Sequence, residues 1–367
     1  MKNSTYWLII GLVVSLGQTV VSFGGLGLKD SMSVVVPFID CDEITPQVCE
    51  VEETTGTVEI REHQVAYRIY SPKNIPLSKI PLVTVHGGPG GPPTYMQPLK
   101  MLACEGREVI FYDQMGCGQS WIPENIEEQA PWLLTIEYYA EEVQAVVDHL
   151  GYDKIFLFGH SWGAMVAQEY AATQPQELVA MMLSGPAANS QTYIEEQWAY
   201  NFSTLPQLTQ EIFHQIDETK DYGSSTNEFV NFILTTQFVT RQVPMASCYM
   251  AVPPNLDIFV KMQGESSFSV GGVLADYDFT DKIPTIKVPS LIIHGQFDTM
   301  QGETVNVYNR LLPDSRGLVT VPRSGHLTMI DAPEELFRFM NDFMEDVEDE
   351  EVFKSFIKQY EHNLDFQ

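Results

Sequence analysis

The stretch G-H-S-W-G, from Gly159 to Gly163, places Ser161 between two glycines. An apolar run, residues 155–158, precedes it, and a run with helical spacing starts at Ala164. A serine at a strand-to-helix turn can act as a nucleophile, because the turn holds its hydroxyl group exposed. Glycines two positions before and after it remove the Cβ atoms that would clash in such a turn. The stretch therefore predicts that Ser161 is a nucleophile.

Candidate partners for this serine follow it in the order serine, acid, histidine. Asp298 comes shortly after a predicted strand, residues 290–294, and His326 comes shortly after another, residues 317–321. In acyl transfer, the histidine would take the serine proton and pass it to the leaving group, while the aspartate would orient the imidazole. We therefore predict a catalytic triad of Ser161, Asp298 and His326.

Other acids and histidines compete for these two roles. The competing acids are Asp276, Asp278, Asp281 and Asp331. The first three lie in or just after a segment of different pattern, and the fourth precedes a predicted surface helix, where an acid usually serves as a cap. Three histidines near predicted strand ends are interpreted as structural: His86, His160 and His294.

An oxyanion intermediate needs two backbone N–H donors. One should come from Trp162, directly after the nucleophile, and the other from Gly88 in the loop H-G-G-P-G, residues 86–90. A glycine-proline cluster can also be a simple tight turn. A phosphate-binding loop is excluded, because no Gly-Lys-Ser/Thr follows.

These residues need a scaffold that brings several strand ends to one edge. Strand-like and helix-like runs alternate along residues 55–187 and again along 288–345, which predicts an α/β fold with a mainly parallel sheet covered by helices on both faces. Between them, residues 188–287 are helical and rich in aromatic residues. We predict an inserted helical cap there, because the flanking halves need each other to complete one sheet. The alternative is an independent second domain.

Composition narrows the possible functions. With 367 residues and 44% hydrophobic residues, the chain can bury a large core. The 20 Lys+Arg residues against 49 Asp+Glu residues leave a net charge of -29, which repels nucleic acids and anionic membranes. Acidic residues cluster at 345–351, and residues 346–367 are predicted to be a solvated acidic tail.

The N-terminus resembles a sorting signal. Lys2 precedes an apolar run, residues 7–16, and the small or polar residues after it predict a signal peptide over residues 1–22. The expected location is the secretory pathway, either secreted or lumenal. A signal anchor is the alternative, but polar residues interrupt the run, so no stable membrane span is expected. Phe23 also resembles the position after the cut in two-part algal plastid presequences, so organelle targeting stays open.

Five cysteines carry no metal-ligand spacing, so they predict no metal site. In an oxidising compartment, Cys41 and Cys49 could form a disulfide; mostly buried free thiols are the alternative. Asn201 begins the glycosylation sequon N-F-S, which matters only in the secretory pathway.

Together, five motifs resemble those of the proline iminopeptidases, serine peptidases of the α/β-hydrolase fold. The motifs are H-G-G-P-G at 86–90, D-Q-M-G-C-G-Q-S at 113–120, G-H-S-W-G at 159–163, G-Q-F-D at 295–298 and G-H at 325–326. The resemblance covers residues 55–345. It implies removal of an N-terminal residue, often proline, from peptides, without metal or organic cofactor, and close relatives hydrolyse amino acid amides.

The sequence departs from this family where the substrate amine would bind. The family often has one glutamate before a cap phenylalanine and another after the triad aspartate, where this chain has Ser267 and Thr299. Glu265 is nearby and is the candidate substitute. The substrate that the resemblance implies is a small peptide or an amino acid amide. An amidase or esterase with the same triad and a binding protein without activity are the alternatives.

Overall fold

The computed structural model describes residues 18–23, 32–45 and 47–364, with side chains described for 38–45, 47–249 and 251–351. Residues 1–17 of the predicted signal peptide lie outside the described residues. The part that follows, Gln18–Phe23, forms a strand antiparallel to Met32–Ile39. Among the described helices, none has both the length and the hydrophobicity needed to cross a lipid bilayer.

Eleven strands and eleven α-helices form the described part of the chain. The strands are β1 Gln18–Phe23, β2 Met32–Ile39, β3 Val51–Ile60, β4 His63–Pro72, β5 Leu82–Val85, β6 Val109–Tyr112, β7 Ile155–His160, β8 Leu178–Ser184, β9 Met245–Ala246, β10 Ser290–Gly295 and β11 Ser315–Val321. The helices are α1 Cys41–Ile44, α2 Ile126–Gln129, α3 Ile136–Leu150, α4 Trp162–Ala172, α5 Ser190–Glu196, α6 Gln207–Thr219, α7 Ser225–Leu234, α8 Leu256–Met262, α9 Glu303–Leu311, α10 Thr328–Asp331 and α11 Pro333–Leu364.

The main sheet has eight strands in the order β3-β4-β6-β5-β7-β8-β10-β11. The first pairings, β3 with β4 and β4 with β6, are antiparallel, and all the others are parallel. The predicted mainly parallel sheet is therefore confirmed. Gly159 in β7 lies opposite Val85 in β5 and Leu183 in β8, so the ends of these three strands meet at one edge.

The central strands are buried on both faces, as expected for a parallel sheet covered by helices. Along β7, Ile155 and Leu157 face the core cluster that contains α3, α4 and α9. Phe156 and Phe158 face the opposite cluster, which contains α11 and the 3₁₀-helix Pro93–Glu105. Burying each such side chain stabilises the fold by about 1.5–3 kcal/mol. The strand that carries the serine is therefore firmly held.

The segment between β8 and β10 is helical, with a core of its own. It contains helices α5 to α8, the two π-helices Gln197–Asn201 and Thr235–Val239, and short 3₁₀ turns. Its core is a cluster of buried aromatic and aliphatic side chains: Phe202, Phe213, Ile216, Val230, Leu234, Phe238 and Phe268. Four buried phenylalanines of this part of the sequence therefore hold its helices together, whereas Phe229 and Phe232 are exposed.

The disulfides match neither possibility that the sequence left open, a Cys41–Cys49 pair or mostly free thiols. Cys41 bonds to Cys248 and Cys49 bonds to Cys104, whereas Cys117 is a buried free thiol. The pairing follows the packing of the N-terminal segment, because β2 runs parallel to β9 and brings Cys41 beside Cys248. Sequence proximity of Cys41 and Cys49 did not reveal these distant partners.

Helix α11 continues through the acidic cluster to Leu364, so the segment predicted as an acidic tail is helical over these residues. Val347 is buried, and Glu348 pairs with the fully buried guanidinium of Arg107 and accepts a 3.0 Å hydrogen bond from the N–H of Ile80. Glu345 pairs with Lys79. The basic side chains of Arg107 and Lys79 and the backbone N–H of Ile80 thus hold this part of the helix against the sheet.

Candidate active site

Ser161 occupies the sharp turn between β7 and α4. Its backbone has φ 57° and ψ −124°, a region that costs free energy for a residue other than glycine. A Cβ atom at position 159 would lie 2.5 Å from the carbonyl oxygen of Gly163, and one at position 163 would overlap the carbonyl oxygen of Val85. Both flanking glycines are therefore required by the close approach of backbones.

Asp298 and His326 lie together at the same edge of the sheet. His326 Nδ1 is 2.7 Å from Asp298 Oδ1, and the carboxylate also accepts hydrogen bonds from the N–H groups of Met300 and Gly295. Burial alone would raise the pKa of Asp298, but His326 and the hydrogen bonds hold it below its ordinary value. An ionised carboxylate only accepts, so Nδ1 of His326 carries the hydrogen. In neutral His326, Nε2 is then a proton acceptor.

The serine turn and the His326 loop are adjacent. The ring of His160, the residue before Ser161, lies 4.6 Å from the ring of His326. The N–H of Ser161 donates to Ser184 at the end of β8. Gly185, which follows Ser184, has φ 57°, and a Cβ atom at this position would lie 2.7 Å from His326 Cε1. Sequence reasoning missed this glycine, which makes room for the imidazole.

The loop after β5 passes beside the serine. A Cβ atom at Gly87 would lie 3.1 Å from the Cβ of Ser161. The N–H of Gly87 donates to the hydroxyl oxygen of Tyr95 at 2.6 Å. In the described part of the chain, no hydrogen bond uses the N–H groups of Gly88 and Trp162. Neither predicted oxyanion donor therefore has a hydrogen-bond acceptor among the described residues.

Gln114, in the motif at residues 113–120, links the loop that contains Gly88 to the start of α4 at Trp162. Its side-chain amide donates to the carbonyl of His86 at 2.7 Å, and its oxygen accepts from the indole N–H of Trp162 at 2.9 Å. The N–H of Gln114 donates to His86 Nε2. Burial lowers the pKa of His86 to about 4, so the ring is neutral. The contacts of His86 are therefore structural, as the sequence suggested. The role of Gln114 was not predicted, and its place in the motif at 113–120 was the only feature of the sequence that pointed to it.

Asp331 does not act as the helix cap that its position suggested. It lies at the end of the short helix α10 and accepts hydrogen bonds from Thr240 Oγ1 and from the N–H groups of Arg241, Gln242 and Gly325. It therefore joins the loop of His326 to the helical segment above it. Its partners come from a distant part of the chain, and no local pattern shows them.

The residues expected near a substrate amine are dispersed. Thr299 is buried beside Asp298, whereas Ser267 and Glu265 are exposed to solvent. The structure thus places Glu265 on the surface of a loop. Among the described residues, no three His, Cys, Asp or Glu side chains converge as a metal site would require.

The asparagine of the predicted glycosylation sequon, Asn201, is packed inside the protein. Asn201 is buried, and its Nδ2 donates a 2.8 Å hydrogen bond to the carbonyl oxygen of Asp298. An oligosaccharide cannot reach this nitrogen in the folded protein. Asn201 therefore supports the loop of Asp298, a role that the sequon did not suggest.

Comparisons with known proteins identify relatives of similar length. A family model of the α/β hydrolase fold matches residues 80–333. The proline iminopeptidase of Thermoplasma volcanium is 30% identical over 294 residues, which cover 79% of this chain and 96% of the relative. The proline iminopeptidase of Heyndrickxia coagulans is 29% identical over 297 residues, which cover 80% of this chain and 99% of the relative. A solved proline iminopeptidase from Mycobacterium smegmatis has a TM-score of 0.74 at 26% identity, covering 80% of this chain and 98% of its own.

Proposed function

Because the chain belongs to the proline iminopeptidase family of α/β-hydrolase-fold proteins, we propose that it is a serine aminopeptidase that removes an N-terminal residue, proline first among the candidates, from small peptides. One observation carries the proposal. The hydrogen-bonded pair Asp298–His326 lies beside the strained turn of Ser161, with two unused N–H groups next to it. This is the donor and acceptor set that acyl transfer needs.

In the proposed reaction, His326 Nε2 takes the hydroxyl proton as Ser161 Oγ bonds to the carbonyl carbon of the substrate. The N–H groups of Gly88 and Trp162 stabilise the oxyanion. The C–N bond then breaks, and His326 gives its proton to the leaving amine. Water, deprotonated by the same histidine, releases the acyl group and restores Ser161.

The second candidate is an amidase or esterase with the same triad. It is favoured by the uncharged Ser267 and Thr299 and by the exposure of Glu265, since a buried substrate ammonium needs a charged or well-placed polar partner. A panel of prolyl and other aminoacyl naphthylamides, their N-blocked forms and simple esters on purified protein separates the two. Preference for free-amine substrates supports the aminopeptidase, and preference for N-blocked substrates or esters overturns it.

A label tests the chemistry independently of the substrate. An organophosphonate should modify wild-type protein at Ser161 and leave Ser161→Ala unmodified. If no serine is labelled, the protein is the binding protein that the sequence left open.

For location, we propose entry into the secretory pathway. The two disulfides support it, because disulfides persist chiefly in oxidising compartments. The apolar run at residues 7–16 is the second support.

A further inference from the structure

Three hydrogen bonds join the loop after β5 to the loop that carries His326. The N–H of Gly87 is 2.6 Å from the hydroxyl oxygen of Tyr95, and that oxygen is 2.8 Å from His160 Nδ1. His160 Nε2 is 3.0 Å from the carbonyl oxygen of His326. The path therefore passes through the residue that precedes Ser161.

The proton positions along this path follow from its two ends. The carbonyl oxygen of His326 can only accept, so His160 Nε2 carries a hydrogen. Burial and the nearby His326 lower the pKa of His160 to about 3, so the ring is neutral and Nδ1 has no hydrogen. Tyr95 must then donate to Nδ1, which leaves its oxygen to accept from Gly87. Each nitrogen of His160 therefore has one role, as donor or acceptor, and the hydroxyl group of Tyr95 both donates and accepts.

We propose that Tyr95 and His160 are positioning residues that hold the oxyanion donor of Gly88 and the general base His326 in a fixed relation to Ser161. The peptide that ends in the Gly88 N–H begins at Gly87, whose own N–H is held by Tyr95. At the other end, His160 holds the backbone of His326. The hydrogen bonds of both side chains go to each other and to the backbone of Gly87 and His326, so both act through other residues. This inference rests on the proposed serine hydrolase function.

Tyr95→Phe tests the Gly87 end of the path. Loss of one oxyanion donor costs about 10²–10³ in kcat, so misplacing one should cost about 10- to 100-fold. KM should stay within twofold, because the ground-state carbonyl gains less from the donor than the oxyanion does. An aminoacyl boronic acid, which forms a tetrahedral adduct with the serine, should lose affinity in parallel with kcat.

Two substitutions of His160 separate the ends of the path. Gln places a donor near the Nε2 position and keeps the bond to His326, whereas Asn places an acceptor near the Nδ1 position and keeps the bond to Tyr95. His160→Gln should therefore behave like Tyr95→Phe, and the double variant should be no worse than either alone. His160→Asn should retain boronic acid affinity within threefold while kcat falls, because only the base loop is loosened.

Tyr170→Phe is the matched control. Tyr170 is a buried tyrosine of α4 whose hydroxyl donates to Glu177, outside the path. The Tyr170→Phe variant should lower the melting temperature about as much as Tyr95→Phe does and leave kcat within twofold of wild type. The inference is overturned if Tyr95→Phe keeps kcat and boronic acid affinity within twofold, or if the effects of Tyr95→Phe and His160→Gln are additive. Because wild-type turnover and Ser161 labelling are measured separately, that outcome is distinct from failure of the proposed function.

Discussion

The carboxylate of Asp298 accepts a 2.7 Å hydrogen bond from His326 Nδ1, although 28 positions separate the two residues in the chain. The bond fixes which imidazole nitrogen is left to accept a proton. Asp298→Asn can present an N–H group instead, which favours the wrong tautomer, and we expect kcat to fall about 10⁴-fold with little change in the melting temperature. Asp276→Asn, at an exposed acid that the sequence also offered, should keep wild-type kcat.

Ser161→Ala should abolish turnover and leave the fold intact, because it removes a single oxygen at the turn. Loss of a triad member commonly lowers kcat by about 10⁴-fold or more. The measurements are steady-state kinetics and circular dichroism. Retention of more than a tenth of the wild-type rate would show that another group is the nucleophile.

Glu265→Gln addresses the substrate amine. A charged hydrogen bond is worth about 1.5–3 kcal/mol, which corresponds to a 10- to 100-fold loss of kcat/KM for prolyl-naphthylamide. Because Glu265 is exposed, water screens its charge, and we expect a loss near the tenfold end. Ester hydrolysis should barely change, and Glu195→Gln, at another exposed acid, serves as the control. Equal rates of wild type and Glu265→Gln on both substrates would remove Glu265 from the amine site.

Glu142 makes stability depend on pH. Its buried carboxyl group accepts hydrogen bonds from Met115 N–H and the Tyr138 hydroxyl, and burial raises its pKa from 4.5 to about 8. The folded state therefore keeps this proton between pH 4.5 and 8, where the unfolded state has lost it. The stabilisation is complete below pH 4.5 and is lost as pH rises through 8.

Glu142→Gln should remove this dependence, because the amide stays neutral. Relative to wild type, its free energy of unfolding should rise by about 4 kcal/mol between pH 5 and pH 8.5. Urea unfolding at both values measures it. Glu141→Gln, at the exposed neighbour, should show no such trend, and a parallel pH dependence of wild type and Glu142→Gln would assign the effect elsewhere.

The mature protein should begin close to Phe23, as the apolar run at 7–16 predicts. N-terminal sequencing of natively produced protein tests the cut, and an intact Met1 would end the signal-peptide interpretation. Peptide mapping without reduction should recover the pairs Cys41–Cys248 and Cys49–Cys104 in the same sample.

The sequence by itself determined most of the elements and the residues proposed for the chemistry. Apolar periodicity and glycine positions act over a few residues, so β7, α4 and the turn at Ser161 could be predicted locally. The strand-end loops of Asp298 and His326 followed from the alternation of strands and helices, because parallel strands bring their carboxyl ends to one edge.

Only the tertiary structure decided which distant groups meet. Cys41 reaches Cys248 across 207 positions, Asp331 holds the N–H groups of Arg241 and Gln242, and Tyr95 and His160 join two loops. In the acidic part of α11, Glu348 pairs with Arg107, which lies far from it in the chain. Such pairings depend on strand order and on the packing of the helical segment between β8 and β10, in which burial and unpaired backbone groups select partners. A local sequence pattern therefore cannot predict those partners.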